Sequence, residues 1–180
     1  TSQPKRIVVS MGPLAASGGY YIAMPGEIIL AERTTITGSI GVYASFINVH
    51  KLAEDHGVKM ELVKHGEMKA AGSPFHKLLP DEKQMWQDMV DSSYDQFLEV
   101  IQTNRTHLKG KLTKDLVRTD SKGQKLADVA PERDEKGNPI PGKMVPYKRK
   151  LADGGIFIAS DAKLHGLIDE IGYLDDATKK

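Results

Sequence analysis

Residues 11–24 read MGPLAASGGYYIAM, and they complete an apolar, β-branched run that begins at residue 7. A run of this kind, 7–11, is typical of a strand that is buried on both faces of a parallel sheet. Gly-Pro at 12–13 ends the run, and residues 17–24 return to helical spacing. The stretch therefore predicts a strand, a tight turn and a short helix, with Ser17 at the turn.

Strand and helix patterns continue to alternate beyond this stretch. Further strands are predicted at 27–31, within 34–42, at 58–63, at 155–159 and near the C-terminus. Helices are predicted at 48–56 and 80–107, and a capped helix with a glycine stop is predicted at the start of 160–172. We expect Asp81 to cap the long helix, and its apolar stripe is typical of core or subunit packing. This order indicates the α/β class, with a mostly parallel sheet and crossover helices.

The composition is that of an ordinary globular domain. The 180 residues are 39% hydrophobic, and 25 Lys and Arg against 24 Asp and Glu leave a net charge of +1. We predict one domain over residues 1–180, and the near-neutral charge disfavours nucleic acid as a partner. The absence of cysteine excludes disulfides and thiolate chemistry. No run approaches the roughly 18 apolar residues of a membrane span, so the chain itself is expected to be soluble.

Two segments stand apart from the α/β pattern. Residues 119–150 are rich in polar turn-forming residues, and we predict a surface insertion there, as a hairpin or partly disordered. At the other end, residues 1–6 lead abruptly into the first strand pattern. We therefore expect the parent protein to continue upstream of this chain.

Ser17 has two readings. A nucleophilic serine needs an exposed hydroxyl, a proton acceptor and donors for the oxyanion. A strand-to-helix turn could expose the hydroxyl, and the Gly18 N–H at the start of the helix is the obvious oxyanion donor. Small residues also serve where a helix packs tightly on a sheet, and Ala15 departs from the Gly-x-Ser-x-Gly elbow.

The proton acceptor is less evident from the sequence. Six histidines lie in polar stretches and give a Ser-His-Asp triad no sequence anchor: His50, His56, His65, His76, His107 and His165. A lysine can act as the base only where burial lowers its pKa from about 10.4 toward 7. Lys69 is the candidate, because a small-residue loop follows it. The simpler reading is a solvated loop lysine.

Four motifs occur in a specific order along the chain. They are AASGGYYIA at 15–23, TGSIGV at 37–42, KAAGSP at 69–74 and AKLHGLIDEIG at 162–172. Together they closely resemble the signal peptide peptidase A (SppA) family of serine proteases, and they cover most of the chain outside the insertion.

The resemblance implies a Clp-protease/crotonase-like fold and a Ser-Lys dyad. Ser17 matches the nucleophile, Lys69 the general base of the short, single-repeat members, and Ser39 the serine that holds the lysine amine. Gly18 matches a residue whose N–H forms part of the oxyanion hole. Short members complete the dyad between neighbouring subunits, so the resemblance implies a ring-shaped homo-oligomer.

The resemblance also implies substrates and a location. Expected substrates are remnant signal peptides and other extended apolar peptides, with no cofactor or metal. The expected location is the bacterial cell envelope, through a membrane anchor outside this chain. The family's upstream Gly-Gly turn, which donates the second oxyanion N–H, is not in this sequence. We therefore expect the N-terminal part of the fold to be missing from this chain.

Two functions of other classes stay open. A non-catalytic oligomeric scaffold would keep the fold for assembly, although the presence of Ser17, Ser39 and Lys69 together argues against it. A crotonase-type enzyme acting on acyl-coenzyme A would share the fold. It would be expected to place carboxylates for acid-base work, and no such constellation is visible in the sequence.

Overall fold

The computed structural model describes residues 5–117 and 124–180. The chain forms two compact units: Thr1–Gly41 together with Phe97–Lys180, and Val42–Gln96. The strands, all in the first unit, are β1 (Val8–Met11), β2 (Leu14–Ala16), β3 (Ile28–Ala31), β4 (Ile36–Gly38), β5 (Val129–Arg133), β6 (Pro139–Pro146), β7 (Ile156–Ile158) and β8 (Glu170–Ile171). The α-helices are α1 (Gly18–Ala23), α2 (His50–Asp55), α3 (Pro80–Asn104), α4 (Ala159–Leu164) and α5 (Leu174–Ala177). One domain over 1–180 stays a prediction.

The first sheet of the first unit is wholly parallel, in the order β1-β3-β8. Its central strand is buried on both faces, since Ile29, Leu30 and Ala31 have no exposed surface. That burial explains why the β-branched runs in this unit show no polar alternation. The predicted α/β class is therefore confirmed, with strands joined in parallel through helical crossovers.

The second sheet carries β4 at its centre, in the order β2-β4-β7. β2 and β4 are parallel, with Ala16 opposite Gly38, whereas β7 runs antiparallel to β4. The sequence did not predict β2, because three residues with an exposed Leu14 carry no strand periodicity. This short edge strand leads directly to Ser17.

The start of α3 agrees with the prediction, whereas α4 begins one residue earlier than predicted. α4 begins at Ala159, and its N-cap Ile158 makes no side-chain cap, so the predicted cap of this helix is wrong. α3 begins at Pro80, and the carboxylate of Glu82 accepts the Leu79 N–H at 2.9 Å. Asp81 is the second residue of α3 and not its N-cap, but its carboxylate accepts the Glu82 N–H at 3.0 Å, so Asp81 and Glu82 together satisfy backbone donors at the start of the helix.

The long helix ends earlier than the sequence suggested. α3 covers 25 residues and stops at Asn104, and a 3₁₀ turn, Thr106–Leu108, takes over the rest of the predicted segment. Phe97 and Ile101 are buried, as the apolar stripe predicted. Across the described ranges, neither α3 nor any other helix combines the length and apolar character that a membrane crossing would require.

The second unit contains α2, a 3₁₀ turn at Glu67–Ala70 and the first part of α3. The strand predicted at 58–63 is wrong, because these described residues have no regular secondary structure. Their alternating pattern has no neighbouring strand to pair with, and Val63 is 99% exposed. Alternation alone was therefore a misleading signal here.

The predicted polar insertion contains a β-hairpin. β5 and β6 pair antiparallel, from Val129 opposite Pro146 to Arg133 opposite Pro139. Most of the two strands is exposed, in agreement with the polar composition of 129–146. The start of the predicted insertion, 119–123, lies outside the described residues.

Candidate active site

Ser17 occupies a strained turn between β2 and α1. Its backbone angles are φ 53° and ψ −117°, outside the regions that L residues ordinarily adopt. The turn is held on both sides, because the Ser17 N–H donates to the Gly38 carbonyl at 2.8 Å and its carbonyl accepts the Tyr21 N–H at 2.9 Å. A half-buried serine is thus fixed in a conformation that costs about 1–3 kcal/mol.

The surroundings of α1 decide between tight packing and an open turn. A Cβ at Gly18 would meet nothing within 4 Å, and one at Gly19 would make only an ordinary contact with Ala15, at 3.8 Å. Close packing of helix on sheet therefore does not require these glycines. The space beside Gly18 is open, as an approaching ligand would need.

α1 is anchored by Tyr20, the first side chain that it buries. The Tyr20 hydroxyl donates to the Leu167 carbonyl at 2.8 Å, and the side chain is fully buried. Burial raises the pKa of this phenol well above its usual value, and the nearby Arg105 only partly offsets the rise. Tyr20 stays neutral and ties the start of α1 to the segment before β8.

Ser39 occupies a second strained turn, at the carboxyl end of β4. Its φ is 52°, and its N–H donates to the Gly155 carbonyl at 2.9 Å. Because β2 and β4 are parallel and Ala16 lies opposite Gly38, the residues that follow are Ser17 and Ser39. Neighbouring strands lie about 4.8 Å apart. The structure therefore brings the two predicted serines to the same end of one sheet, where β2 and β4 finish.

Gly38 makes this second turn possible. Its φ is +75°, and a Cβ there would lie 2.7 Å from Cδ2 of Phe157 on β7. Glycine is required here for both the backbone angle and the space. The carbonyl that receives the Ser17 N–H thus belongs to a residue that no other amino acid can replace without a shift of β7.

Two buried threonines that the sequence reasoning missed fasten β4 to the segment before Ser17. The Thr37 hydroxyl donates to the Ala15 carbonyl at 2.7 Å, and the Thr35 hydroxyl donates to the Gly12 carbonyl at 2.9 Å. Both side chains are fully buried. Their signal in the sequence was the Thr-x-Thr spacing within an otherwise apolar strand pattern.

The Gly18 N–H is available as a donor. Gly18 is the first residue of α1, so its N–H has no acceptor within the helix. The residue is exposed, immediately after the half-buried Ser17. The predicted nucleophile and the predicted oxyanion donor are therefore consecutive residues of one turn.

Lys69 belongs to the second unit. It lies in the 3₁₀ turn Glu67–Ala70, its N–H donates to the Gly66 carbonyl at 3.2 Å, and its side chain is exposed in this chain. The loop after it bends at Gly72, where φ is +90° and a Cβ would lie 2.6 Å from Cε1 of Phe46. Its backbone is thus defined, while its amine is open to solvent.

In the part of the chain that the structure describes, we find neither a histidine base for Ser17 nor a metal site. No imidazole there hydrogen-bonds Ser17, and the imidazole of His165, the C-cap of α4, is half-buried, which lowers its pKa. Across 5–117 and 124–180, no group of three or more His, Cys, Asp or Glu could hold a metal ion.

A charged pair in the first unit also escaped the sequence reasoning. Both terminal nitrogens of the Arg105 guanidinium donate to the Asp169 carboxylate, at 2.7 and 2.9 Å, and this carboxylate also accepts the Ile29 N–H at 2.8 Å. Burial alone would raise the pKa of Asp169, but these hydrogen bonds and the Arg105 charge lower it below its usual value. The pair fastens the central strand β3 to the segment before β8.

Comparison with known proteins gives this geometry a context. The sequence profile of peptidase family S49 matches residues 1–129, which include Ser17, Ser39 and Lys69. A relative from Methanocaldococcus jannaschii is 30% identical over 179 residues, which are 99% of this chain and 46% of that protein.

Two further relatives carry protease names. Protease 4 of Haemophilus influenzae is 31% identical over 98% of this chain and 23% of its own length. The chloroplastic serine protease SPPA of Arabidopsis thaliana is 27% identical over 98% of this chain and 21% of its own length. The chain thus spans less than half the length of each of these three relatives.

Proposed function

This chain belongs to peptidase family S49, and from that premise we propose that it supplies a serine endopeptidase with Ser17 as the nucleophile and Lys69 as the general base. The observation that carries the proposal is the backbone of Ser17. A serine held at φ 53° between a strand and a helix, beside an open glycine, is the arrangement that a nucleophile needs. Ser39, at the same end of this sheet, supports the assignment.

The proposed chemistry is an acyl transfer in two steps. Neutral Lys69 accepts the Ser17 proton as Oγ forms a bond to a peptide carbonyl carbon, and the Gly18 N–H donates to the resulting oxyanion. The C–N bond then breaks, and the proton passes to the leaving amine. Water, deprotonated by the same lysine, hydrolyses the acyl ester and restores Ser17. Ser39 accepts a hydrogen bond from the lysine amine and directs it.

The proposed chemistry requires a buried Lys69 amine, and this chain alone does not bury it. A lysine base needs a low-dielectric environment, yet the Lys69 side chain is exposed in this chain. We therefore infer that a second copy of the chain covers it, in a ring-shaped homo-oligomer whose subunits share the dyad. The second unit carries exposed large apolar side chains that support such an association: Tyr43, Ile47, Leu52 and Val63.

The proposed substrates are extended, apolar peptides, among them remnant signal peptides in the bacterial cell envelope. β2 and β7 are the edge strands of the sheet that carries Ser17 and Ser39. An extended peptide could add as a further strand at such an edge and bring its carbonyl to the serine. Exposed Leu14 and Ile156 on these edge strands agree with an apolar substrate.

Covalent labelling tests the proposal. A fluorophosphonate or peptide-aldehyde probe should form an adduct on Ser17, located by mass spectrometry of the assembled protein. Ser17→Ala should abolish labelling, and Ser160→Ala, at an exposed serine of α4, should leave it unchanged. Absence of a Ser17 adduct would favour the scaffold. Calorimetric binding of a coenzyme A thioester without labelling would favour an acyl-coenzyme A enzyme.

A further inference from the structure

Glu82 is a buried carboxylate that the proposed chemistry does not use. It is 1% exposed and lies at the third position of α3. Its oxygens accept the Leu79 N–H at 2.9 Å and face Nε2 of His76 at 3.2 Å each. A buried carboxylate is costly unless donors surround it, and the start of a helix favours negative charge. The Leu79 N–H and the His76 imidazole therefore both stabilise the buried Glu82 carboxylate.

The contacts of His76 extend from Glu82 into the loop that follows Lys69. Because an ionised carboxylate only accepts hydrogen bonds, a hydrogen bond between these groups requires a proton on Nε2 of His76. The backbone N–H of His76 donates to the Ser73 carbonyl at 3.2 Å, and the backbone N–H of Ser73 donates to the Ala70 carbonyl at 3.0 Å. Ala70 closes the 3₁₀ turn that carries Lys69. Each link joins Glu82 more closely to that turn.

The same loop is held against the start of α2. The Asn48 side-chain amide donates to the His76 carbonyl at 3.0 Å, and the Val49 N–H donates to the Pro74 carbonyl at 2.8 Å. Nδ1 of His50 lies 3.1 Å from the Phe75 carbonyl. The loop 70–79 is thus fixed at two sides, at α2 through its backbone carbonyls and at α3 through the His76 imidazole.

We propose that His76 and Glu82 are positioning residues that hold the Lys69 turn in its active geometry. The inference rests on the proposed function, because it gives Lys69 its role. The His76 side chain is 27% exposed and touches Glu82 through a single nitrogen, so this contact can be changed without emptying a core. A shift of the turn by about 1 Å would suffice to lower the rate about a hundredfold.

Two substitutions at His76 separate the imidazole contact from a general effect on folding. His76→Gln keeps an N–H donor near the position of Nε2, whereas His76→Asn places its donor near Nδ1 and leaves Glu82 without that partner. In the assembled protein, His76→Asn should lower kcat by about 10- to 100-fold with KM nearly unchanged. His76→Gln should restore most of the rate, and His56→Asn, at an exposed histidine of the same unit, should have no effect.

Amide hydrogen exchange supplies a readout that does not depend on catalysis. His76→Asn should speed exchange at Ser73 and at Val49, the residue before α2, while α2 itself keeps its protection, and His76→Gln should not. Unchanged exchange at both amides in His76→Asn would overturn the positioning role. Faster exchange with an unchanged kcat would also overturn the positioning role, whereas the proposed function fails separately if Lys69→Ala keeps its activity.

Discussion

The backbone N–H of Ser17 donates to the carbonyl of Gly38 at 2.8 Å, one residue beyond the last paired strand position, Ala16. The β2–β4 ladder therefore continues into the turn that carries the proposed nucleophile. Because Gly38 directly precedes Ser39, one hydrogen bond couples the two strained serine turns. The geometry of these two serine turns therefore depends on the pairing of β2 with β4.

Replacing Ser17 with glycine should stabilise the fold relative to alanine. Glycine adopts φ 53° without a Cβ penalty, although it loses more chain entropy on folding than alanine does. We therefore expect the unfolding free energy of Ser17→Gly to exceed that of Ser17→Ala by about 1 kcal/mol. Urea unfolding of the two variants measures the difference. Both should be inactive. Equal stabilities would mean that the turn stores no strain.

Gly38→Ala should damage both stability and activity. Its Cβ would lie 2.7 Å from Phe157 at a φ of +75°, so we expect a loss of about 2–4 kcal/mol in unfolding free energy. Gly110→Ala is the matched control, because φ is +70° there with nothing within 4 Å. Urea unfolding should show a distinctly smaller loss for the control. Equal losses would show that the contact with β7 is unimportant.

Asp169→Asn should destabilise the first unit. The Arg105 guanidinium is 5% exposed and would lose its charged partner, which in a fully buried pair costs roughly 3–5 kcal/mol. Because the Asp169 side chain is 34% exposed and water screens it, we expect about 2–3 kcal/mol. Denaturant unfolding at pH 7 measures the loss. A difference below about 0.5 kcal/mol, the scale of a surface pair, would contradict this account.

The same pair predicts a dependence of stability on pH. The folded pKa of Asp169 is lowered, so its contribution is complete above the unfolded value of about 3.9 and is lost as pH falls through the folded pKa. The stability gap between wild type and Asp169→Asn should be constant from pH 7 to about 5 and should shrink below about 4. A gap that grows on acidification would have the wrong sign.

An exposed apolar side chain of the second unit should affect assembly. Val63 is 99% exposed, and a charge there would oppose burial against another copy. Val63→Asp should lower the mass measured by light scattering and the peptidase rate together. Lys59→Asp, at an exposed polar position of the same segment, should change neither. An assembled and fully active Val63→Asp protein would exclude Val63 from the interface between copies.

The strand β1 and the helix α1 could be predicted because both depend on local signals. A β-branched run, a Gly-Pro stop and helical spacing are properties of short segments. The strained angles of Ser17 and Ser39 could not be predicted in this way. They depend on the pairing of β2 with β4, and β2 has too few residues to show a period.

Errors in the sequence reading came from contacts between distant residues. The alternation at 58–63 predicted a strand, but a strand forms only with a partner. The Arg105–Asp169 pair joins residues 64 positions apart, and no local pattern marks it.

Peptide hydrolysis by two alanine variants tests the central claim most directly. In the assembled protein, Ser17→Ala and Lys69→Ala should each lower kcat/KM for an extended apolar peptide by at least about a thousandfold, with unfolding curves close to wild type. Ser160→Ala and Lys59→Ala should retain full activity. Substantial hydrolysis by purified Lys69→Ala would contradict the Ser-Lys dyad, and substantial hydrolysis by Ser17→Ala would contradict the nucleophile itself.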